Sequence, residues 1–102
     1  MNRPILQRTI FTNAKNKKEK SYGFRISDDH GQEFSDVLKA KDLKLSDQRF
    51  LNKCRECFGD VGNSIFDCAL EHGMYIDDTW YTFDLNHKNG ARLVLPARIA
   101  LP

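Results

Sequence analysis

The stretch SDQRFLNKCRECFGDVGNSIFDCALEHG, residues 46–73, decides the fold, because here the hydrophobic period changes from the two of a strand to the 3.6 of a helix. Ser46 precedes it with a hydroxyl able to accept from the open first-turn amides, and Asp47 stands where the positive end of a helix dipole favours an acid. Phe50, Leu51, Cys54, Cys57 and Phe58 follow at i, i+1, i+4, i+7 and i+8, a single apolar stripe. Gly59-Asp60-Val61-Gly62 predicts the end of this helix, and Asn63 or Ser64 the cap of a second one carrying Ile65, Phe66, Ala69 and Leu70 on one side. Gly73 offers a left-handed stop.

Outward from this pair the period is two. Upstream, Ile5 to Thr12 is rich in β-branched residues, and in Ser21 to Ser27 the residues Tyr22, Phe24 and Ile26 alternate with Ser21, Gly23, Arg25 and Ser27. The polar run over 13–20 separates them, which predicts a hairpin with a mobile basic tip. Asp28-Asp29-His30-Gly31 is turn chemistry, followed by a short strand over Gln32 to Phe34 and a short helix within Ser35 to Leu45. Downstream, Met74 to Ile76 and Trp80 to Leu85 read as strands about an Asp77-Asp78-Thr79 turn. Asn89-Gly90 then leads to a last strand through Ala91, Leu93 and Leu95, and a tail over 96–102 is expected to be mobile.

This order lacks the strict βαβ alternation of a doubly wound sheet. The expectation is a single α+β domain over residues 1–102: an antiparallel or mixed sheet of hairpins with a central two-helix hairpin packed on one face. The 102 residues suit one core, and 40% apolar with 29% charged residues is the composition of a folded chain. No apolar run reaches membrane-spanning length and the start has no signal-peptide layout, so a cytoplasmic location without a membrane partner is expected. Three cysteines, two of them Cys54 and Cys57 on one helix, point to reduced thiols.

The net charge of +2 conceals a segregated pattern. Residues 1–27 carry +6, residues 28–84 carry −7 and residues 85–102 carry +3. Such a two-signed surface favours oriented docking of a charged partner over nonspecific adhesion.

Three groups of residues invite a chemical reading. Cys54, Cys57, Cys68 and His72 make up a legitimate tetrahedral zinc donor set. All four fall inside helical patterns, however. In a helical hairpin turning near residues 60 and 61, Cys57 would lie roughly 5 Å and His72 roughly 17 Å along the axis from the turn, which favours core thiols and no cofactor. A Cys-His nucleophile is disfavoured too, since no strand-to-helix elbow or glycine-rich oxyanion loop accompanies Cys68 and His72. Lys15, Lys17, Lys18 and Lys20, with Arg25 nearby, could meet the phosphates of a nucleic acid. The plainer reading is a solvated tip that keeps an edge hairpin soluble.

Trp80 differs from the others, because the pleat that turns Tyr81 and Phe83 one way turns Trp80 the other. It either covers a second layer or stands partly exposed. With Tyr75 and the acids Asp77 and Asp78 it forms a candidate contact surface, since interfaces favour aromatics at their centre.

The segments YGFRISDD (residues 22–29) and GMYIDDTWY (residues 73–81) resemble small accessory proteins of phages and prophages, some of which inhibit host defence systems. That resemblance implies a non-enzymatic inhibitor or adaptor and assigns no individual residue a role. The expectation is therefore a non-catalytic module that binds a protein partner through Trp80, Tyr75, Asp77 and Asp78. Nucleic-acid binding by the basic hairpin and a small zinc-supported domain are the alternatives, and a homodimer is among the assemblies allowed.

Overall fold

The computed structural model describes residues 3–12, 15–16, 18–86 and 91–95. Among these residues six strands form one mixed sheet in the order β3-β2-β1-β4-β5-β6, with β1 Ile5–Thr12, β2 Lys20–Ser27, β3 Glu33–Leu38, β4 Met74–Ile76, β5 Thr79–Asp84 and β6 Arg92–Val94. Neighbours are antiparallel except at the centre, where β1 and β4 run parallel with Ile5 opposite Tyr75 and Leu6 opposite Ile76. That pairing joins the three strands before the helices to the three after them.

Two helices, α1 Asp47–Arg55 and α2 Gly59–His72, form the second layer. The Ser46 hydroxyl accepts from the Arg49 amide at 3.4 Å, as its position predicts. Gly73 ends α2 at φ +96°, with its N–H donating to the Ala69 carbonyl at 2.7 Å. The break between the helices lies earlier than the glycines suggest, at residues 56–58. Gly62 sits within α2, where a Cβ would meet that of Phe58 at 2.7 Å. The glycine is there for close packing and does not end a helix, so neither Asn63 nor Ser64 serves as a cap.

The segment before α1 also departs from expectation. The strand expected over Gln32 to Phe34 runs on to Leu38, and the expected helix shrinks to a 3-10 turn, Ala40–Lys44. The preceding turn is made as Asp chemistry dictates: Asp28 Oδ1 accepts from the amides of His30 and Gln32, both at 2.9 Å, and Gly31 takes φ +84°. The Asn89-Gly90 turn and the 96–102 tail lie outside the described residues, as does part of the 13–20 tip.

The core lies between the helices and one face of the sheet. Leu6, Phe24, Ile26, Met74 and Ile76 from the sheet meet Phe50, Leu51, Cys54, Ile65, Phe66 and Ala69 from the helices, with Phe58 between them. A chain of phenylalanines spans this layer: Phe34, Phe24, Phe58, Phe66 and Phe83 follow one another at centroid separations of 5.9, 5.8, 5.8 and 5.5 Å. Each such pair adds about 0.5–1.5 kcal/mol beyond its buried area. Among the described residues no helix is long and apolar enough to cross a membrane.

Candidate functional site

Alternation along each strand assigns the side chains to two faces. Leu6, Phe24, Ile26, Met74, Ile76 and Phe83 point to the helices, while Ile5, Phe11, Arg25, Tyr75 and Trp80 point away. None of the side chains that point away, among the described residues, is buried. Among the described residues the sheet is therefore covered on one side and open on the other, and Trp80 stands on the open face, half-buried by its described neighbours and by no second layer of them.

The centre of that face is built by register. Tyr75 on β4 lies directly opposite Trp80 on β5, and Ile5 on β1 lies directly opposite Tyr75. The two rings meet edge to face at 5.0 Å and 62°. Trp80 also lies across Gly73, where a Cβ would come within 2.5 Å of the indole. The residue that ends α2 is thus also the floor on which the indole rests. Phe11 repeats the arrangement, packing over Gly23 so that a Cβ there would meet its ring at 2.7 Å and the Asp36 carbonyl oxygen at 2.0 Å. Beside Phe11, Ser35 and Val37 line a shallow hollow of about 260 Å³, and Val37 is 60% exposed.

The acids expected to work with this pair are differently placed. Asp78 is exposed, but Asp77 is held by Arg8. Arg8 follows the inward parity of Leu6, and its guanidinium joins three parts of the chain. Its Nε donates to the Leu43 carbonyl at 2.9 Å, one terminal nitrogen to the Leu45 carbonyl at 2.6 Å, and the other to Asp47 at 3.0 Å and to Asp77. It also lies 4.2 Å from the centre of the Phe50 ring. The Tyr81 hydroxyl donates to the other oxygen of Asp47. Burial works against the charge on Arg8, but its hydrogen bonds to Asp77 and Asp47 outweigh this and hold the guanidinium protonated beyond its usual range. Burial, together with the bond to Asp47, pushes the Tyr81 phenol up to about 12. Each guanidinium nitrogen of Arg8 and each carboxylate oxygen of Asp47 and Asp77 has a partner, so the junction ties the 3-10 turn, α1 and the β4–β5 turn together. Sequence patterning missed it because Arg8 shares a strand with Leu6 and nothing local marks its distant partners.

The cysteines and His72 do not form a centre. Cys54 is buried, Cys57 and Cys68 are half-buried, and His72 lies exposed in the last turn of α2 beside Glu71 at 3.7 Å. Among the described residues no three His, Cys, Asp or Glu side chains come together as metal ligands. Burial, with the neighbouring Cys57 next, raises the Cys54 thiol far above its usual range. Burial and the acids Asp36 and Glu56 raise Cys57. Neither thiol is activated as a nucleophile.

Of the basic residues, Lys15, Lys18 and Lys20 are exposed, and Lys17 lies outside the described residues. Arg25 stands apart from them on the open face, with Nε 2.7 Å from Glu33 Oε1. Comparison with family models, with curated proteins and with solved structures finds no match to this chain.

Proposed function

We propose that this chain is a non-catalytic module that docks a protein partner on the open face of its sheet, centred on Ile5, Tyr75 and Trp80. The observation that carries this reading is the edge-to-face Tyr75–Trp80 pair, half-buried at the middle of a face that no described element covers. Rigid, preorganised aromatics lose little conformational freedom on binding and are enriched among the residues that dominate interface energies. Gly73 and the cross-strand register fix the indole before any partner arrives. Around this centre the charges of the face are largely matched: Arg25 is paired with Glu33, and Arg92 lies opposite Asp84. That suits a protein surface better than a phosphate backbone, which an unpaired basic stripe would favour. An inhibitor or adaptor of the phage-accessory kind is the role in which such a module fits.

The test compares the wild type with Tyr75→Ala and Trp80→Ala in quantitative affinity capture, after circular dichroism has shown each variant folded. Partner retention is expected to fall by about 2 kcal/mol, or roughly thirtyfold in affinity, for Trp80→Ala. Unchanged capture by both folded variants removes the assignment.

A further inference from the structure

Backbone hydrogen bonds alternate in direction along each strand, so their parity runs from the centre of the sheet to both edges. On β1 the carbonyls of Pro4 and Leu6 accept from Tyr75 and Asp77, which leaves the odd-numbered residues of β1 to bond β2. Through the two registers that follow, Phe34, Asp36 and Leu38 of β3 bond β2, while the amides and carbonyls of Glu33, Ser35 and Val37 point outward from the edge. The Asp28 N–H, donating to the Gln32 carbonyl at 3.1 Å, sets the same parity from the turn. At the opposite edge β6 is three residues long, and its outward amide, that of Leu93, donates to Gln48 at 2.7 Å. β3 is six residues long and less guarded. Of its three outward amides only that of Val37 has a partner among the described residues, the Asp36 carboxylate at 2.7 Å.

An outward row of this kind is a template for another strand. A second copy of the same edge pairs with it antiparallel about a two-fold axis, and the Asp36–Val37 bond selects the register. Centred on Ser35 or on Asp36, the pairing needs the Val37 amide that Asp36 already holds, and the latter also sets two Asp36 carboxylates against each other. Centred on Phe34, it exchanges the groups of Glu33 with those of Ser35 and stops at the Gly31 turn, before Val37 is needed. The axis then falls on a pair without mutual hydrogen bonds, where Cα atoms approach to about 4.5 Å and facing aromatic side chains attract. Phe34 is half-buried and heads the row of phenylalanines through the core, so its ring meets that of the second copy from a packed position. Charge agrees as well. Lys39, exposed and still extended at φ −74° and ψ 147°, comes beside the tip of the second copy's turn, which carries exposed Asp29.

We propose that this chain forms a symmetric dimer through β3, two copies joining their sheets into one across Phe34. The axis stands perpendicular to the sheet, so both open faces look the same way and the dimer presents two Tyr75–Trp80 sites side by side. That bivalence rests on the docking reading, whereas the dimer itself does not and is tested without any partner.

Sedimentation equilibrium of the full chain is expected to show monomer and dimer exchanging with a dissociation constant of roughly 10–100 µM, as suits a small interface. Ser35→Pro removes an outward N–H without touching a bond to β2, a change that edge strands tolerate. Because symmetry makes it act twice, it is expected to weaken the dimer about thirtyfold while circular dichroism stays native. The register is read without any substitution, from an isotope-filtered spectrum of labelled and unlabelled chain mixed at high concentration, where an intermolecular Hα–Hα contact is expected at Phe34. The proposal is overturned if the chain is monomeric at about 1 mM, if folded Ser35→Pro dimerises as the wild type does, or if the intermolecular contacts fall in another register or on another surface.

Discussion

Arg8 shows how much one side chain can organise in this small protein. Its guanidinium donates to two backbone carbonyls and two carboxylates from segments 35 to 69 residues away. Removing it leaves Asp47 and Asp77 without their cation and two carbonyls without a donor. Arg8→Ala is expected to cost about 2–4 kcal/mol in chemical denaturation, well above the effect of an ordinary surface arginine. Arg8→Lys should recover only part of this, because a single ammonium cannot reproduce the planar fork. Tyr81 makes the same junction sensitive to high pH. Its phenol titrates near 10 in the unfolded chain and at about 12 when folded, so folding favours the protonated form. Its contribution is complete below about pH 10 and is lost as pH rises through about 12. Thermal unfolding followed across that window should fall more steeply for the wild type than for Tyr81→Phe.

At the scale of elements, the readings that held are those in which one physical signal dominates. The Ser46 cap, the stripe through Phe50, Leu51 and Cys54 and the stop at Gly73 are local features that formed as local chemistry dictates, whereas Cys57 and Phe58, expected on the same helix, lie past its end at Arg55. The strand after Gly31 was harder to read for a definite reason. Along β3 the inward positions are Phe34, Asp36 and Leu38, and the acid in the middle interrupts the alternation that marks a strand. An edge position permits this, since Asp36 can turn its carboxylate onto the Val37 amide at 2.7 Å. The glycines misled in a similar way: Gly62 looks like a helix end but is required for contact with Phe58. Gly73 carries two demands at once, a positive φ and room for the indole. Gly73→Ala is therefore expected to destabilise by about 3 kcal/mol or more, measured as a lower denaturation midpoint, and to blue- or red-shift the emission of the single tryptophan as its seat is displaced. An unchanged midpoint and spectrum would mean that the indole does not rest there.

Across the whole molecule, the decisive feature is the parallel contact of β1 with β4, made between residues 70 apart in sequence. No local pattern announces it. It merges two antiparallel groups of strands into one sheet and brings Ile5 beside Tyr75, so the composition of the open face could not be assembled from the sequence even though Trp80 and Tyr75 stood out individually. The same nonlocality hid the Arg8 junction. What the sequence did make legible was that Trp80 opposes the inward residues of its strand, and the single helical layer turns that parity into exposure. The most direct test of docking through this face places a photo-crosslinking residue at Thr82, which is exposed on the open face beside Trp80, and in a second variant at Asn63, which is exposed on α2. Irradiation in the native cellular setting is expected to give a discrete covalent adduct with one protein from position 82 and none from position 63. Adducts from position 63 alone, or the same adducts from both positions, would contradict docking through the open sheet.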